Sequence, residues 1–310
     1  MRAEACAKVN FTLEVFGKRA DGYHALRSVV MPITLADTID VAVTDNGEIT
    51  SDTGYDDDLC VKAARILKSS VASLPSSLGA AIRVTKRIPA GGGLGGGSAD
   101  AAAVLRTLNE LWGAGLSREE LADIGAQVGS DVPALVMGGP VVMEGRGERV
   151  KSFGACACSD LSSDQPTNRP TDHLRKLHLV LVNPGFQNST KEVYGACAPR
   201  PLGGENATAK MVAALRAGDL ESIAAALMND LQAPAVKLHP EIADALVSLR
   251  TAGVVGSMMS GSGSSVFGLV RDADEAVRIS SELNARGYQA WPVQTLWQFD
   301  WLSRLGSNQD

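Results

Sequence analysis

The residues of this chain best suited to chemistry form a glycine-rich run near position 90. The run consists of Pro89, Ala90, Gly91, Gly92, Gly93, Leu94, Gly95, Gly96, Gly97 and Ser98. Because its six glycines carry no Cβ, a ligand could lie directly against the main chain. A loop of this kind before a helix binds anions, most often phosphate, through unpaired N–H groups and the helix dipole. Ser98 could cap the helix, contact a phosphate or bind Mg²⁺.

The segments on either side of this loop are predicted to be a strand and a helix. In the segment 80–88, apolar residues sit among charged and polar ones, which is typical of a strand with one buried face. After the loop, apolar residues recur at helical spacing, at Ala101, Val104, Leu105, Leu108 and Leu111. The loop therefore joins a strand to a helix N-terminus, where it could hold a phosphate.

Three other interpretations of the loop are weaker. A flexible linker is not usually set between a strand and so regular a helix. A P-loop requires Gly-Lys-Ser/Thr, whereas Gly97 is followed directly by Ser98. A dinucleotide fingerprint can be traced through Gly91, Gly93 and Gly96, but that pattern is weak in any glycine-rich run. It also belongs to folds that open with their βαβ unit, and here about ninety residues come first.

Polar residues near the N-terminus could act on a ligand of this loop. In the predicted first strand, 5–16, Lys8 and Asn10 share the polar face, which could also simply be solvated. The turn that follows ends in Tyr23 and His24. Turn chemistry does not require this pair, although partial burial at a strand start would explain it.

Two later segments add further candidate residues for a site at the glycine loop. Asp131 lies at a helix break between Gly129 and Pro133, where it could be a catalytic acid or the N-cap of a helix over 132–137. The segment 260–264, Ser-Gly-Ser-Gly-Ser, could be a second ligand loop or a hairpin turn. Together with the glycine loop, these features indicate phosphoryl transfer.

Composition excludes several classes of protein. The 310 residues are 45% hydrophobic and 21% charged, which is typical of a globular chain. With a net charge of -6 we expect no nucleic-acid surface, and no apolar run could span a bilayer. The charged N-terminus is unlike a signal peptide, so a cytoplasmic location is expected. The five cysteines and four histidines show neither a disulfide framework nor metal-ligand spacing.

The pattern of elements predicts an α+β protein with two domains, 1–152 and 176–310, joined by an irregular connection over 153–175. In the first domain the predicted strands are 5–16, 26–35, 38–44, 48–51 and 80–88, with helices ending near 69, 111 and 128 and a hairpin over 137–150. In the second, the predicted strands are 177–182, 254–259, 266–270 and 288–296, and the helices are 190–197, 205–216, 219–228, 240–252 and 273–286.

Taken in order, these motifs resemble those of the GHMP kinase superfamily. The segment 89–99 resembles its phosphate loop, and the segment 260–264 resembles its C-terminal glycine motif. The motifs Ala-Lys-Val-Asn at 7–10, Ala-Asp-Gly-Tyr-His at 20–24 and Gly-Ser-Asp-Val-Pro at 129–133 narrow the resemblance. They match the branch that acts on 4-diphosphocytidyl-2-C-methyl-D-erythritol. The resemblance implies an N-terminal domain like ribosomal protein S5 domain 2, a ferredoxin-like C-terminal domain and an active site between them.

The resemblance also implies roles for single residues. Asp131 matches the catalytic acid that accepts the substrate's proton, and Lys8 matches the lysine beside it. The other implied substrate contacts are Asn10, Tyr23, His24, Thr190, Tyr194, Ser260, Gly261 and Ser262, with Tyr23, His24 and Tyr194 around the cytosine. Besides the glycine loop, the implied ATP contacts are Lys86, Asp58 and Asp100, and the last two stand where the family carries asparagine.

The expected activity is therefore an ATP- and Mg²⁺-dependent kinase for the 2-hydroxyl of this cytidylated sugar alcohol phosphate, in the non-mevalonate isoprenoid pathway. The expected partner is that small molecule, with the chain a monomer or a weak homodimer. Two alternatives stay open. One is another small-molecule kinase of the superfamily, such as a homoserine or mevalonate kinase. The other is a non-catalytic nucleotide-binding regulator on the same fold.

Overall fold

The structure, a computed structural model, describes residues 1–153, 176–200 and 206–297. The predicted irregular connection, beyond residue 153, therefore lies outside the described residues. The described strands are β1 (Arg2–Lys18), β2 (His24–Thr44), β3 (Ile49–Ser51), β4 (Gly79–Thr85), β5 (Val141–Gly145), β6 (Arg149–Ser152), β7 (His178–Asn183), β8 (Met228–Asn229), β9 (Gly256–Met259), β10 (Val266–Val270) and β11 (Gln289–Gln294). The described helices are α1 (Leu59–Ser70), α2 (Gly96–Leu111), α3 (Arg118–Val128), α4 (Val132–Met137), α5 (Thr190–Ala196), α6 (Ala207–Ala217), α7 (Leu220–Ala225), α8 (Gln232–Leu238), α9 (Glu241–Thr251) and α10 (Ala273–Ala285).

The first sheet is built on a long antiparallel pair, β1 and β2, in the order β3-β4-β2-β1-β8. The hairpin of β5 and β6 joins the same sheet through β2. The two strands predicted over 26–35 and 38–44 are one strand here, because β1 pairs with β2 from Arg2 to Lys18. A register shift between Cys6 and Lys8 absorbs the irregular stretch that separated them in the sequence pattern.

The second sheet has the order β11-β7-β10-β9 and separates two cores. Along β7, Leu179 and Leu181 pack into the core shared with the first sheet. Val180 and Val182 pack on the opposite face, with α9 and α10. This alternation follows from the two-residue period of a strand and makes the sheet the middle layer between the halves.

The two halves of the chain meet through paired main chains and aromatic rings. Phe11 of β1 and Phe267 of β10 are fully buried and stacked, with ring centroids 5.5 Å apart. The short strand β8, from the C-terminal half, pairs parallel with β1. The predicted α+β class is confirmed, whereas α8 and the two-residue strand β8 were not predicted. No described helix is long and apolar enough to cross a membrane.

Candidate active site

Most of the predicted site residues line one cavity of about 1070 Å³. Those lining it are Lys8, Asn10, Tyr23, His24, Asp58, Lys86, Pro89, Ala90, Gly91, Gly92, Gly93, Leu94, Gly95, Gly96, Gly97, Ser98, Asp100, Asp131, Thr190, Tyr194, Gly261 and Ser262. The exception is Ser260, which is fully buried and does not line the cavity. Residues far apart in sequence thus meet because β1, α2, α5 and the loop 260–265 all reach this space.

The glycine loop takes a conformation that requires its glycines. Gly91, Gly93 and Gly95 have φ angles of 64°, 75° and 70°, in the left-handed region that favours glycine. Gly95 is the N-cap of α2, so the helix begins at Gly96 and the Ser98 hydroxyl does not cap it. The interpretation of Ser98 as a cap is therefore wrong, because the helix begins earlier than the apolar periodicity suggested.

The loop 260–265 holds the glycine loop in place from the other half of the chain. The Ser260 hydroxyl donates to the Gly93 carbonyl at 3.0 Å, and the Ser265 N–H donates to the Gly92 carbonyl at 3.1 Å. A Cβ on Gly93 would lie 2.2 Å from the Ser260 carbonyl oxygen. Ser260, which was predicted to bind substrate, is fully buried and donates its hydroxyl proton to the glycine loop.

Lys8, Asn10 and Asp131 form one polar group beside the glycine loop. The Lys8 side chain is only 4% exposed, and its Nζ donates to Asn10 Oδ1 at 2.7 Å and to the Gly93 carbonyl at 2.9 Å. Asp131 Oδ2 lies 3.4 Å from the same Nζ, in a side chain that is 31% exposed. The arrangement combines a buried positive charge with a carboxylate that a ligand can reach, as phosphoryl transfer requires.

The side chain of Asp131 does not cap a helix in the structure. Asp131 occupies the N-cap position of α4, but its side chain makes no capping hydrogen bond. The second residue of α4 is Pro133, which has no N–H to donate to such a cap. Its carboxylate instead faces the cavity and Lys8.

A second buried charge cluster lies at the other end of the cavity. Lys86 Nζ donates to both Asp37 and Asp100, and the distance to Asp100 Oδ2 is 2.7 Å. Burial raises the pKa of Asp100 to about 7, against the opposing effect of Lys86. Burial alone would lower the pKa of Lys86, but its two carboxylate partners outweigh burial and raise it. Asp100 Oδ1 is buried with no hydrogen-bond partner among the described residues.

Asp58, which was predicted to contact ATP, also has a structural role. It is the N-cap of α1, and its Oδ1 accepts from the N–H of Cys60 at 2.7 Å and of Val61 at 3.3 Å. The Thr53 hydroxyl donates to its other oxygen at 2.6 Å. Burial would raise the pKa of Asp58, but these hydrogen bonds lower it overall. Its carboxylate is therefore ionised and fully engaged at the cavity wall.

Aromatic residues form the third part of the cavity. The rings of His24 and Tyr194 are 5.5 Å apart and tilted by 33°, whereas Tyr23 is 55% exposed. Burial, followed by the positive charge of Lys18, lowers the pKa of His24. Thr190 Oγ1 lies 2.9 Å from Ser262 Oγ, which joins α5 to the loop 260–265.

Several cavity residues were missed by the sequence analysis. They include Lys18, Tyr55, Arg146, Gln187 and Lys191. Asp37 and Ser28, which support Lys86 and Asn10, were missed as well. None belongs to the glycine loop or to a helix break. The one signal for Arg146 was its place in the predicted turn of the hairpin 137–150, where a large cation can reach a neighbouring loop.

Comparisons with known proteins identify the family to which this fold belongs. The family described as GHMP kinases N terminal domain matches residues 58–139, and that described as GHMP kinases C terminal matches residues 211–289. A homoserine kinase from Cytophaga hutchinsonii shares the fold, with a TM-score of 0.69 at 19% identity over 96% of this chain and 95% of its own. Fold and site together define a small-molecule kinase of the GHMP class.

More similar relatives narrow the class. A 4-diphosphocytidyl-2-C-methyl-D-erythritol kinase of Pelotomaculum thermopropionicum is 40% identical over 94% of this chain and 97% of its own. That of Symbiobacterium thermophilum is 37% identical over 96% and 100%. A crystal structure of a 4-(cytidine 5'-diphospho)-2C-methyl-D-erythritol kinase has a TM-score of 0.75 at 32% identity, covering 95% of this chain and 99% of that one. The chain belongs to this kinase family.

Proposed function

We propose that this chain transfers the γ-phosphoryl group of ATP to the 2-hydroxyl of 4-diphosphocytidyl-2-C-methyl-D-erythritol and releases ADP. This is a step of non-mevalonate isoprenoid precursor biosynthesis. The observation that carries the proposal is the pairing of Lys8 with Asp131 at 3.4 Å, in a cavity that also holds the glycine loop and the aromatic group. Relatives named as kinases of this substrate align with almost the whole chain.

In this proposal the phosphates of ATP lie over the start of α2. The N–H groups of Gly96, Gly97 and Ser98 open that helix and have no carbonyl of the preceding turn to bind. The carbonyls of Gly92 and Gly93 are already engaged by the loop 260–265. The loop would therefore present mainly donors to the cavity, and donors are what a phosphate requires.

The oxygen ligands around the cavity suit a Mg²⁺ ion that is bound mainly through ATP and water. The structure contains no group of three or more His, Cys, Asp or Glu residues that could hold a metal, within its described residues. Mg²⁺ commonly binds with one or two protein oxygens, phosphate oxygens and water, so such a cage is not required. Ser98 would supply a protein oxygen, and the ion would neutralise charge on the phosphates.

Lys8 and Asp131 would act on the attacking hydroxyl. Asp131 would accept its proton or orient it, because its carboxylate is exposed to the cavity and not engaged as a cap. Lys8 would stabilise negative charge on the attacking oxygen and on the transferred group. The bonds from Lys8 to Asn10 and Gly93 hold its ammonium group in place before the substrate binds. Asn10 and Thr190 would bind the sugar alcohol.

Tyr23, His24 and Tyr194 would bind the cytosine. The exposed ring of Tyr23 offers a face for stacking, and the tilted pair of His24 and Tyr194 offers a second aromatic surface. Because the pKa of His24 is lowered, its imidazole is neutral at pH 7 and can both donate and accept a hydrogen bond. This matches the mixed donors and acceptors at the edge of cytosine.

The test is a coupled ADP-release assay with purified protein and four acceptors. We expect turnover of 4-diphosphocytidyl-2-C-methyl-D-erythritol and none above background with homoserine or mevalonate. Methylerythritol phosphate, which lacks the cytidyl group, is the matched control for the cytosine site and should be a very poor substrate. Equal kcat/KM for homoserine or mevalonate would contradict the proposal. ATP binding without ADP release on any acceptor would favour a nucleotide-binding regulator.

A further inference from the structure

The ammonium group of Lys8 has three N–H donors, and the protein itself engages two of them. One donates to Asn10 Oδ1 at 2.7 Å and another to the Gly93 carbonyl at 2.9 Å. Because the N–H bonds of an ammonium group keep tetrahedral angles, fixing two of them also fixes the direction of the third. Asp131 Oδ2 lies 3.4 Å from the same nitrogen. The third N–H is therefore the one left for Asp131 or for a ligand oxygen beside it.

The direction of the Asn10 amide is set by Ser28. Asn10 Nδ2 donates to Ser28 Oγ at 2.8 Å, and the Ser28 hydroxyl donates to the main-chain carbonyl of Thr12 at 2.5 Å. Since a carbonyl can only accept, the Ser28 proton is committed to Thr12 and the Ser28 oxygen must accept from Asn10. A reversed amide would place its NH₂ group against the Lys8 ammonium and its oxygen against an oxygen with no proton to give. The amide oxygen is therefore held towards Lys8.

A register shift in β1 brings Ser28 to this position. The pairing of β1 with β2 shifts between Asn10 and Thr12, so Ser28 lies opposite Leu13. Leu13 lines the cavity, as Lys8 and Asn10 do. Directly opposite residues of an antiparallel pair share one face of the sheet, so the shift turns Ser28 to the face that carries Asn10. Regular pairing continued from Asn10 would place Ser28 opposite Thr12, whose hydroxyl contacts α6 instead.

This set of polar groups is closed off from solvent. Ser28 and Thr12 are fully buried, and Asn10 and Lys8 are almost completely buried. Because a buried group that loses its partner cannot replace it with water, each member of the set holds the next in one orientation. Asn10 Nδ2 has a second hydrogen, and Asn10 lines the cavity. Asn10 can therefore orient Lys8 and still contact a substrate hydroxyl.

We propose that Ser28 is a positioning residue for phosphoryl transfer, acting through Asn10 on the ammonium group of Lys8. This inference rests on the proposed function. Ser28 does not line the cavity itself. It keeps the Asn10 oxygen against Lys8, so that the third N–H of Lys8 points to where negative charge develops. Electrostatic stabilisation of a transition state depends on donors fixed in advance, so an ammonium group that is free to turn would stabilise the transferred group less.

The test compares Ser28→Ala with Ser28→Thr in the ADP-release assay with the cytidylated substrate. Ser28→Ala should lower kcat about tenfold, as expected when a buried donor loses its partner. The KM values for both substrates and the affinity for a non-hydrolysable ATP analogue should change less than about twofold, because the alignment acts in the transition state. Ser28→Thr keeps the hydroxyl and should retain at least about a third of the wild-type kcat.

Ser280→Ala is the matched control. Ser280 is also buried and donates its hydroxyl proton to a main-chain carbonyl, that of Val277, but it lies on α10 outside the cavity. This variant should lose a similar amount of thermal stability and no kcat. If Ser28 only stabilises the sheet, Ser28→Ala and Ser280→Ala will both melt earlier and both keep the wild-type kcat. This comparison decides the question even where the larger side chain of Ser28→Thr prevents folding.

The outcomes distinguish this inference from the proposed function. A wild-type kcat in Ser28→Ala, or a loss of kcat that Ser28→Thr shares at an unchanged melting temperature, overturns the role of Ser28 and leaves the function standing. If the wild-type protein phosphorylates none of the acceptors, the proposed function fails and the role of Ser28 fails with it. A loss of kcat in Ser28→Ala at unchanged KM, absent from Ser280→Ala and restored in Ser28→Thr, supports the positioning role.

Discussion

At the scale of single residues, the chemistry of this cavity depends on which side chains are already engaged by the protein. Asp58 and Ser260 are consumed by structural contacts, whereas Asp131 keeps its carboxylate exposed to the cavity. Lys8 is held by Asn10 and by a main-chain carbonyl of the glycine loop. Residue type and motif position alone do not distinguish these cases, because the distinction is made by contacts distant in sequence.

Asp131→Asn should keep the fold and ATP binding but lose about a hundred- to ten-thousand-fold in kcat, the usual contribution of a general base. Asp131 makes no capping hydrogen bond, and Asn10 and the Gly93 carbonyl still hold Lys8 in the variant, so the melting temperature should fall only slightly. Asp219→Ala is the matched control, since Asp219 does cap α7 by accepting from Ser222. That variant should lose about 1 kcal/mol of stability and no turnover. Wild-type kcat in Asp131→Asn would remove the residue from the mechanism.

His24→Ala should lower kcat/KM for the cytidylated substrate far more than it lowers ATP affinity. A site that leaves buried polar groups unpaired can discriminate by about four to five orders of magnitude. The measurement compares kinetics on the cytidine substrate with those on its uridine analogue, alongside melting curves. If His24 merely packs its turn, the variant will melt earlier and keep its preference for cytidine, which would defeat the assignment to the base.

Asp100→Asn should change how stability depends on pH. Burial raises the pKa of Asp100 to about 7 in the folded protein, while an unfolded aspartate titrates near 3.9. The folded state thus binds the extra proton, so the contribution of Asp100 to stability is full below pH ~4 and is lost as pH rises through about 7. Relative to wild type, the variant should therefore melt at least ~2 °C higher at pH 8.

Melting curves of both proteins at pH 5.5 and pH 8 check this prediction. The informative quantity is the difference between variant and wild type, since the histidines titrate in both proteins. An asparagine in place of Asp100 can still accept from Lys86, so the ion pair is weakened without leaving a cavity. A difference in melting temperature that is the same at both pH values would show that Asp100 does not take up a proton on folding.

Much of the candidate site could be predicted at this scale, whereas the residues that support it could not. Lys8, Asp131 and the glycines lie in compact motifs whose residue types suggest their chemistry. Asp37 and Arg146 lie in a strand and a hairpin turn, where an aspartate or an arginine is ordinary. Their roles depend on what the fold brings against them, such as Lys86 against Asp37 and Tyr23 against Arg146.

At the scale of elements, the glycine loop is held between β1 and the loop 260–265. Its middle carbonyls accept from the loop 260–265, and Lys8 donates from β1 to the Gly93 carbonyl. Gly95 then turns the chain into α2 in a left-handed conformation. The close packing leaves almost no space for side chains on the loop, which explains its composition in physical terms.

Gly95→Val should abolish ATP binding and also disturb Lys8. A Cβ at this position would lie 3.2 Å from Lys8 Cε and 3.5 Å from Asp131 Oδ2, and a β-branched residue resists the φ of 70°. Calorimetric titration with an ATP analogue is the measurement. Gly113→Val is the matched control, because Gly113 has a φ of 63° but a Cβ there would meet no atom within 4 Å.

The control should share the backbone strain and bind the analogue normally. Unchanged affinity in a folded Gly95→Val protein would mean that this loop does not hold phosphate. Equal losses in both variants would attribute the effect to backbone strain and general destabilisation, contrary to the role assigned to the loop.

Element types were predictable where the periodicity was long and unambiguous. The helices α1, α2 and α3 were expected, and α3 begins at a capping box between Ser117 and Glu120. The continuity of β2 was not expected. Polar Thr34 and the stretch before Thr38 interrupt the alternation of apolar residues, but they do not end the pairing to β1. The parallel partner of β1, β8, is two residues long and carries no periodic signal.

At the scale of the whole molecule, the two predicted domains are joined by buried polar contacts as well as by the connecting chain. Buried Glu14 of β1 pairs with Arg27 and accepts from the N–H groups of Ala207 and Thr208 at the start of α6. Asp230, from the C-terminal half, accepts from the Val15 N–H at 2.9 Å. Such buried polar contacts would be left unpaired if one half opened alone, at a cost of about 1–3 kcal/mol for each group.

We therefore propose that the two predicted domains unfold as one cooperative unit. Phe267→Ala tests this, since Phe267 is fully buried and stacks on Phe11 across the junction. Deleting such a ring costs about 3–5 kcal/mol. Calorimetry should show one transition, shifted to lower temperature, with equal calorimetric and van't Hoff enthalpies. Val277→Ala, an exposed position on α10 in the same half, is the control and should not shift it. If the halves were independent, Phe267→Ala would split the transition and leave the first half melting at its original temperature.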